Sequence, residues 1–265
     1  MELNSLSAAA ILDGLETEHV GWKVVYWPEI GSTNDEARRL ASEGVPEGTL
    51  VITEYQSKGR GRLDRSWVAP RGSSLLMSIV FRPELAAHQL QRLTMSCGLA
   101  VAGAIELQTG LHAGLKWPND VVIGGAKVGG ILTEIGLEGA RVEFAVVGIG
   151  VNVNLDPAWL LADLPMTATS LCHELGTEVA RLPLLWALLQ EIEERYSALK
   201  VGKSPHTEWA GRLVTLGKPV TVSGTGSALD GMAEGVDADG ALLVRLADGR
   251  LERVLAGDVS TRGLG

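Results

Sequence analysis

Apolar residues recur along this chain with two different periods, which divide it into predicted strands and predicted helices. The apolar positions from Leu90 to Ile105 repeat at three- and four-residue spacing, which predicts a long amphipathic helix packed on a sheet. The same spacing from Leu185 to Leu199 predicts a second long helix, with Pro183 in its first turn. Shorter helices are predicted over residues 7–19 and 37–42. Strands are predicted over residues 22–27, 49–55, 74–82, 112–117, 121–123, 127–135 and 141–150.

The pattern changes after Leu213. From Gly217 onward, short apolar runs alternate with Gly and Asp-Gly turns, a pattern typical of a small β-barrel. Its strands are predicted over residues 220–222, 231–236, 241–246 and 251–254. The chain is therefore expected to contain one large mixed unit followed by a small β unit.

Composition narrows the class of protein. The chain has 265 residues, a formal net charge of −9 and 46% hydrophobic residues, and its apolar stretches are all shorter than the roughly 20 residues of a membrane span. We expect a cytoplasmic protein. The acidic balance argues against a general nucleic-acid binder. Two cysteines, Cys97 and Cys172, are too few for a disulfide framework, and the five histidines show no metal-ligand spacing.

A short basic segment contrasts with this acidic background. Residues 58–71 carry five basic side chains and one acid, Asp64. The glycines at 59 and 61 let the backbone approach a ligand closely, and each arginine offers a planar fork for phosphate or carboxylate oxygens. A solvated basic turn is the alternative interpretation. Because Arg60 and Arg62 lie two residues apart, an extended loop would direct both toward one anion.

Polar residues also mark a helix start near the N-terminus. The sequence Thr33-Asn34-Asp35-Glu36 has the form of a capping box. The side chains of Ser32, Thr33 and Asn34 can cap this helix, and the free N–H groups of a helix start also suit a ligand. Both roles are compatible.

Two glycines interrupt a strand pattern further along. Gly129 and Gly130 lie within the strand predicted over residues 127–135, where glycine usually marks a bulge or the close approach of a ligand. Lys127 beside them is either a surface lysine or a site residue. Asn152 either ends the strand before it or reaches a ligand.

Five motifs in order resemble those of the biotin protein ligases, from about residue 22 to the C-terminus. The resemblance implies an α+β fold with a central mixed or antiparallel sheet flanked by helices, similar to class II synthetases, and a C-terminal SH3-like β-barrel. It implies a catalytic domain over residues 1–213 and the barrel domain over residues 214–265. The motifs are Gly31-Ser32-Thr33-Asn34, the basic loop that ends in Trp67, Lys116-Trp117-Pro118-Asn119-Asp120, Lys127-Val128-Gly129-Gly130-Ile131-Leu132 and Gly148-Ile149-Gly150-Val151-Asn152-Val153-Asn154.

The resemblance also assigns roles to individual residues. The catalytic residues are expected to be Arg60, Arg62 and Lys127. The expected biotin-binding residues are Ser32, Thr33, Asn34, Gln56, Arg60, Gly61, Arg62, Lys127, Gly129 and Gly130. The expected nucleotide-binding residues are Arg62, Lys116, Trp117, Asn119, Lys127 and Asn152. No metal ligand is assigned among the protein side chains. Asp64 stands where the family often has glycine, which leaves the path of the loop open, and residues 155–171 match a loop that orders over the adenylate.

The implied reaction has two steps. Biotin and ATP, with Mg²⁺, give biotinyl-5′-AMP and pyrophosphate, and a lysine of a biotin carboxyl carrier domain then displaces AMP. Only 31 residues precede Ser32, so we expect a ligase without the DNA-binding domain of some relatives, with no membrane partner, acting as a monomer or weak homodimer. Since all the motifs lie beyond residue 20, residues 1–20 are expected to be dispensable for ligation.

Three alternatives to this function remain at the sequence level. A lipoate or octanoate protein ligase shares the architecture and the adenylate chemistry. A non-catalytic biotin-binding module would use the same ligand contacts without ATP. A DNA-binding repressor is disfavoured by the short N-terminal segment and the acidic balance.

Overall fold

The computed structural model describes residues 4–63, 65–139, 141–156, 159, 168–224 and 228–261. Its helices are α1 (Ala8–Asp13), α2 (Thr33–Ser42), α3 (Gln91–Thr109), α4 (Leu171–Leu175), α5 (Arg181–Lys200) and α6 (His206–Arg212), with a 3₁₀ turn at Ala87–Gln89. Its strands are β1 (Val24–Trp27), β2 (Leu50–Thr53), β3 (Ser74–Phe81), β4 (Gly114–Lys116), β5 (Asp120–Ile123), β6 (Ala126–Glu138), β7 (Arg141–Asn152), β8 (Pro219–Ser223), β9 (Leu229–Val236), β10 (Leu242–Arg245), β11 (Leu251–Val254) and β12 (Asp258–Thr261).

The strands form two sheets. Seven of the described strands make a mixed sheet in the order β1-β2-β3-β7-β6-β5-β4, in which β1 and β2 are parallel and the other neighbours are antiparallel. Five make an antiparallel sheet in the order β11-β10-β9-β8-β12. The predicted α+β class is confirmed. The sequence pattern missed β12, because Val259 is the one apolar residue among its four positions.

Between Leu93 and Ala102, helix α3 is buried on all sides, which differs from the predicted amphipathic helix. Every residue from Leu93 to Ala102 is buried, since the helix packs against β4, β5 and β6 on one side and against α5 on the other. A helix between two layers needs apolar residues all round rather than on one stripe. Helix α2 covers the opposite face of the sheet, where Ala37 and Ala41 pack against Val51 and Val146.

The N-terminal segment forms part of the core. Leu6 and Ile11 are buried, and the predicted helix over residues 7–19 ends at Asp13, with Gly14 packed against the Trp186 ring. Residues 18–20 are not helical, and their main-chain N–H groups donate hydrogen bonds of 2.6–2.8 Å to the Glu193 carboxylate. This packing argues against the expectation that residues 1–20 are dispensable.

The C-terminal sheet is attached to the larger sheet by specific contacts. Trp117, at the end of β4, donates its indole N–H to the Gly240 carbonyl oxygen at 2.9 Å, and its main-chain N–H to Thr215 Oγ1 at 3.2 Å. Arg92 pairs with Asp239 at 2.9 Å. These bonds hold the small sheet beside the carboxyl end of β4. None of the described helices is long and apolar enough to cross a membrane.

Candidate active site

A cavity of about 690 Å³ lies over the centre of the seven-stranded sheet. Its walls come from the start of α2, the loop between β2 and β3, the turn between β4 and β5, strands β6 and β7, and strands β8 and β12 of the C-terminal sheet. Its volume is typical of a small-molecule site. Most of the motif residues of the sequence lie in its walls.

One end of the cavity is a hydrogen-bonded polar cluster at the start of α2. Ser32 is the N-cap residue, whose Oγ accepts the Asp35 N–H at 3.4 Å. Gln56 Oε1 accepts from Thr33 N at 2.7 Å and from Thr33 Oγ1 at 3.0 Å. The N-cap residue is therefore Ser32, one residue before the predicted Thr33. Thr33 does not cap the helix, because its hydroxyl group is hydrogen-bonded to Gln56 Oε1.

Asn34 extends the same cluster under the helix. Its Nδ2 donates to Glu134 Oε2 at 2.8 Å and to the Leu132 carbonyl oxygen at 3.3 Å. Ser78 Oγ, on β3, lies 2.6 Å from Asn34 Oδ1 and 2.8 Å from Thr33 Oγ1. Sequence reasoning did not select Ser78 or Glu134, because a single polar residue in a strand carries no signal of its own.

Glycines form the floor of the cavity. A Cβ on Gly148 would lie 2.2 Å from Asn34 Oδ1, and a Cβ on Gly150 would lie 2.6 Å from the Trp67 ring. Gly130 also borders the cavity, whereas Gly129 does not. Successive residues of a strand face opposite sides, so the Cα hydrogens of Gly129 point toward Val121 and Val101. The two β7 glycines were part of a motif but were not predicted as site residues.

Lys127 and Trp67 lie next to this floor. Lys127 Nζ is 5.5 Å from the centre of the Trp67 ring and 2.5 Å from Asp120 Oδ1. That ion pair lacks the alignment of a hydrogen bond, and among the described residues Asp120 Oδ1 and Trp67 Nε1 are buried polar atoms without a hydrogen-bond partner. Buried polar groups normally have one, so Trp67 Nε1 is available to a ligand, whereas Asp120 Oδ1 is already paired with the Lys127 ammonium.

The two loop arginines point in different directions, which contradicts the prediction that they face one anion. Arg60 pairs with Asp35 at 2.5 Å and with Glu134 at 3.0 Å. Arg62 donates to Asn119 Oδ1 and to the Gly257 carbonyl oxygen, both at 3.2 Å.

The shape of the loop explains the divergence. The loop is a tight turn, not an extended strand: Gly61 N donates to the Arg65 carbonyl oxygen at 2.7 Å, and Leu63 has a φ of 53°. Gly61 lines the cavity beside Arg60 and Arg62. Asp64 itself lies outside the described residues.

The C-terminal sheet supplies an acid to this loop. Asp258 on β12 pairs with Arg65 and lies 3.7 Å from Arg62 Nη1. Burial lowers the pKa of the Arg62 guanidinium, and the carboxylates of Asp258 and Asp120 oppose that shift. Asp258 was not predicted, since nothing in its local sequence distinguishes it from other surface acids.

The remaining predicted nucleotide residues have structural partners. Asn119 Nδ2 donates to the Ile131 carbonyl oxygen at 2.7 Å, and Asn152 Nδ2 donates to the Thr169 carbonyl oxygen at 3.0 Å. Trp117 is 2% exposed and anchors the C-terminal sheet, although it also borders the cavity together with Lys116. Most of the segment 155–171 lies outside the described residues.

The acids around the cavity do not form a ready metal site. Within the described ranges, no group of three or more His, Cys, Asp or Glu side chains is placed to hold a metal ion. Mg²⁺ in nucleotide sites is commonly held by one or two carboxylates together with the phosphates. The buried Asp120 Oδ1 is a carboxylate atom that fits such a requirement.

Comparison with known proteins identifies the family. The biotin/lipoate A/B protein ligase family matches residues 26–152, and the biotin protein ligase C-terminal domain matches residues 215–262. The bifunctional ligase/repressor BirA of Bacillus subtilis is 34% identical over 256 residues, which are 96% of this chain and 78% of that protein. The biotin–acetyl-CoA-carboxylase ligase of Mycobacterium tuberculosis is 32% identical over 264 residues, or 96% of this chain and 95% of that protein.

A solved structure agrees with these matches. The biotin protein ligase from Aquifex aeolicus in complex with biotin and ATP has a TM-score of 0.76 and 29% sequence identity to this chain, and the match covers 91% of this chain and 99% of that one. The similarity to these relatives thus extends over nearly the whole length of the chain and includes both sheets. The chain belongs to the biotin/lipoate A/B protein ligase family and is a ligase of the biotin protein ligase type.

Proposed function

We propose that this chain activates biotin with ATP to form biotinyl-5′-AMP and transfers the biotinyl group to a lysine of a biotin carboxyl carrier domain. The observation that carries the proposal is one cavity with a polar cluster at one end and a lysine ammonium beside its glycine floor. Biotin has a matching polarity: a ureido ring at one end and a carboxylate at the other. The Aquifex relative in complex with biotin and ATP supports the same assignment.

The polar cluster suits a ureido group. A ureido ring offers two N–H donors and a carbonyl acceptor. The cluster holds both donors and acceptors, on the buried Ser32, Thr33 and Asn34 and on the half-buried Gln56. Buried polar groups left without partners are costly, so such a site selects strongly for a ligand that bonds to them. The dithiolane ring of lipoate has no N–H or carbonyl group, which favours biotin over lipoate as the substrate.

The floor suits the flat apolar part of the ligand. Because Gly148 and Gly150 have no side chains, Asn34 Oδ1 and the Trp67 ring lie close to the backbone of β7, and a ligand in the cavity can contact both of them. Trp67 Nε1 has no partner among the described residues and can donate to the bound molecule. The five-carbon chain of biotin then leads its carboxylate toward Lys127.

Lys127 is the group we propose for the charge developed in the first step. The biotin carboxylate attacks the α-phosphate of ATP and displaces pyrophosphate. Two anionic groups approach each other in this step, and a fixed cation in a partly desolvated site stabilises that arrangement. Mg²⁺ would neutralise the triphosphate when bound with ATP, and we assign Asp120 to it, a carboxylate that is paired with Lys127 in the described structure. In the second step the amine of the acceptor lysine attacks the acyl carbon, and AMP leaves.

Arg60 and Arg62 can contact the substrates only after they leave their present hydrogen-bond and ion-pair partners. In the described structure Arg60 and Arg62 are neutralised by carboxylates or hold carbonyl oxygens. Phosphate oxygens offer the same bidentate geometry as a carboxylate with more charge, so bound ATP competes with those acids for the guanidinium groups. We propose that Arg62 contacts the nucleotide in this way. We also retain the division into a catalytic domain over residues 1–213 and a barrel domain over residues 214–265, which the two family matches support.

The experiment is an exchange assay followed by a transfer assay. The purified chain is incubated with ATP, Mg²⁺ and labelled pyrophosphate, with biotin, with lipoate or with neither. We expect exchange into ATP only with biotin. Exchange with lipoate but not with biotin would show that the chain is a lipoate protein ligase. No exchange with either acid would show that it is a non-catalytic binding module. The transfer step then uses a carrier domain and the same domain with its target lysine replaced by arginine, and only the first should become biotinylated.

A further inference from the structure

Glu134 connects two parts of the cavity wall that carry different functions. It lies on β6, and its side chain is 18% exposed. Its Oε2 accepts from Asn34 Nδ2 at 2.8 Å and from Arg60 Nη2 at 3.0 Å, and its Oε1 accepts from Arg38 and Arg60, both at 3.3 Å. One carboxylate thus receives an amide group and two guanidinium groups.

These contacts fix the orientation of the Asn34 amide. Only the NH₂ group of an amide can donate, and Glu134 Oε2 and the Leu132 carbonyl oxygen are both acceptors. The amide nitrogen must therefore face β6. The contact to Glu134 is the shorter and is assisted by charge, so it is the stronger of the two.

The opposite end of the amide is then presented to the cavity. Asn34 Oδ1 accepts from Ser78 Oγ and lies directly over Gly148, where a Cβ would be only 2.2 Å away. Asn34 and Gly148 both line the cavity. An amide in this orientation offers an acceptor to a bound molecule, and the reversed amide would offer a donor.

We propose that Glu134 is a positioning residue that sets Asn34 as an acceptor for a ureido N–H group and so contributes to the selection of biotin. This inference rests on the proposed function, since it requires a ureido group at the polar end of the cavity. It assigns a role to a residue that neither the sequence motifs nor the charge of the loop indicated.

A carboxylate is required because it has two equivalent acceptor oxygens. Oε2 accepts the hydrogen bond from Asn34, and both carboxylate oxygens accept hydrogen bonds from the two terminal nitrogens of the Arg60 guanidinium. A glutamine in place of Glu134 has one acceptor oxygen and one NH₂ group, so it must present a donor either to Arg60 or to Asn34. A donor facing Asn34 lets that amide reverse, and Asn34 then meets the ligand N–H with its own NH₂ group.

The test is the affinity for biotin in the absence of ATP, measured by isothermal titration calorimetry. Without ATP the phosphate contacts are not formed, so the measurement reports the ureido end and the acid chain of the ligand. We expect Glu134→Gln to raise the Kd for biotin about tenfold or more, the effect of losing one well-formed hydrogen bond to a buried polar group. An unchanged Kd in a folded Glu134→Gln variant would overturn the proposal.

Asp35→Asn is the matched control. Asp35 is the other acid on Arg60, at 2.5 Å, and no bond from its side chain reaches Asn34 in the described structure. If Glu134 acts through Asn34, the Asp35 variant should change the Kd for biotin less than twofold. An equal loss in both variants would show that the effect comes from the charge of Arg60.

A double-mutant cycle separates positioning from general damage. In an Asn34→Ala background, Glu134→Gln should change the Kd less than twofold, because the amide that it orients is gone. Additive losses would refute the mechanism. Melting curves check that each variant is folded, and Glu134→Asp, which keeps the charge but is shorter by one methylene, replaces Glu134→Gln if that variant does not fold. A wild-type chain that binds no biotin would instead refute the proposed function.

Discussion

Replacing Lys127 with glutamine removes the ammonium group beside the cavity floor and keeps nearly the same side-chain length. In the structure, Lys127 Nζ lies 2.5 Å from Asp120 Oδ1 and 5.5 Å from the Trp67 ring centre. Loss of one fixed charge-stabilising donor typically lowers a rate by 10²- to 10³-fold, or about 2.7 to 4 kcal/mol in the transition state. We therefore expect biotin-dependent ATP–pyrophosphate exchange to fall at least about a hundredfold.

The chain contains a close match to this lysine outside the cavity. Lys200 Nζ lies 3.0 Å from Glu47 Oε2 and 5.4 Å from the Tyr196 ring centre, at the end of α5. Lys200→Gln thus removes the same group from the same kind of surroundings. Its exposed ion pair contributes about 0.2 to 1 kcal/mol to stability, and exchange should stay within about twofold of wild type.

The assay compares initial rates of exchange at saturating ATP over a range of biotin concentrations for the wild type, Lys127→Gln and Lys200→Gln. Thermal unfolding of the same samples shows whether any loss reflects unfolding. If Lys127→Gln exchanged pyrophosphate within about threefold of wild type, the ammonium group would have no part in adenylation and the role proposed here for Lys127 would be wrong. An equally large loss in Lys200→Gln would show that the assay reports stability instead of chemistry.

Three further outcomes follow from the packing. A chain that starts at Gly21 should lose about 3 kcal/mol or more of stability, because the buried side chains of Leu6, Ile11 and Val20 and three amide hydrogen bonds to Glu193 are removed; a melting temperature within 2 °C of the full chain, by circular dichroism, would contradict this. Gly150→Ala should displace Trp67, whose ring lies 2.6 Å from the added carbon, and weaken biotin binding about tenfold by calorimetry; wild-type affinity would show that the ring moves freely. Burial raises the pKa of the Cys97 thiol to about 12, so a thiol reagent at pH 8 should modify Cys172 first, and mass spectrometry that found Cys97 labelled at the same rate would refute its burial.

The sequence by itself was sufficient for most elements of the fold. Eleven of the described strands and both long helices were predicted from periodicity, with ends that differ by a few residues. Periodicity predicts these elements because the spacing of apolar residues along a strand or helix reflects which of its faces is buried. The motifs likewise located the cavity walls, since Ser32, Gln56 and Lys127 all line one cavity.

The partners of the charged groups could be decided only by the tertiary structure. Arg60 meets an acid 74 positions away in the sequence, and Arg65 meets one 193 positions away. A basic loop with a single acid, Asp64, among its own residues looked open to an anion, yet the fold brings carboxylates to it from β6 and from the C-terminal sheet. Coulomb attraction depends on distance in space, and sequence spacing does not report that distance.

The sequence pattern also could not predict which helices and strands are buried on both of their faces. The three- and four-residue spacing of its apolar residues predicted an amphipathic α3. In the structure, α5 covers the face that was expected to contact solvent. The floor at Gly148 and Gly150 follows the same logic, because the atoms that forbid a Cβ there belong to Asn34 and Trp67 on other elements. The sequence therefore determined which residue types were present and which local structures they form. The tertiary structure alone decided which of them meet, because those contacts depend on how the elements pack and not on their own composition.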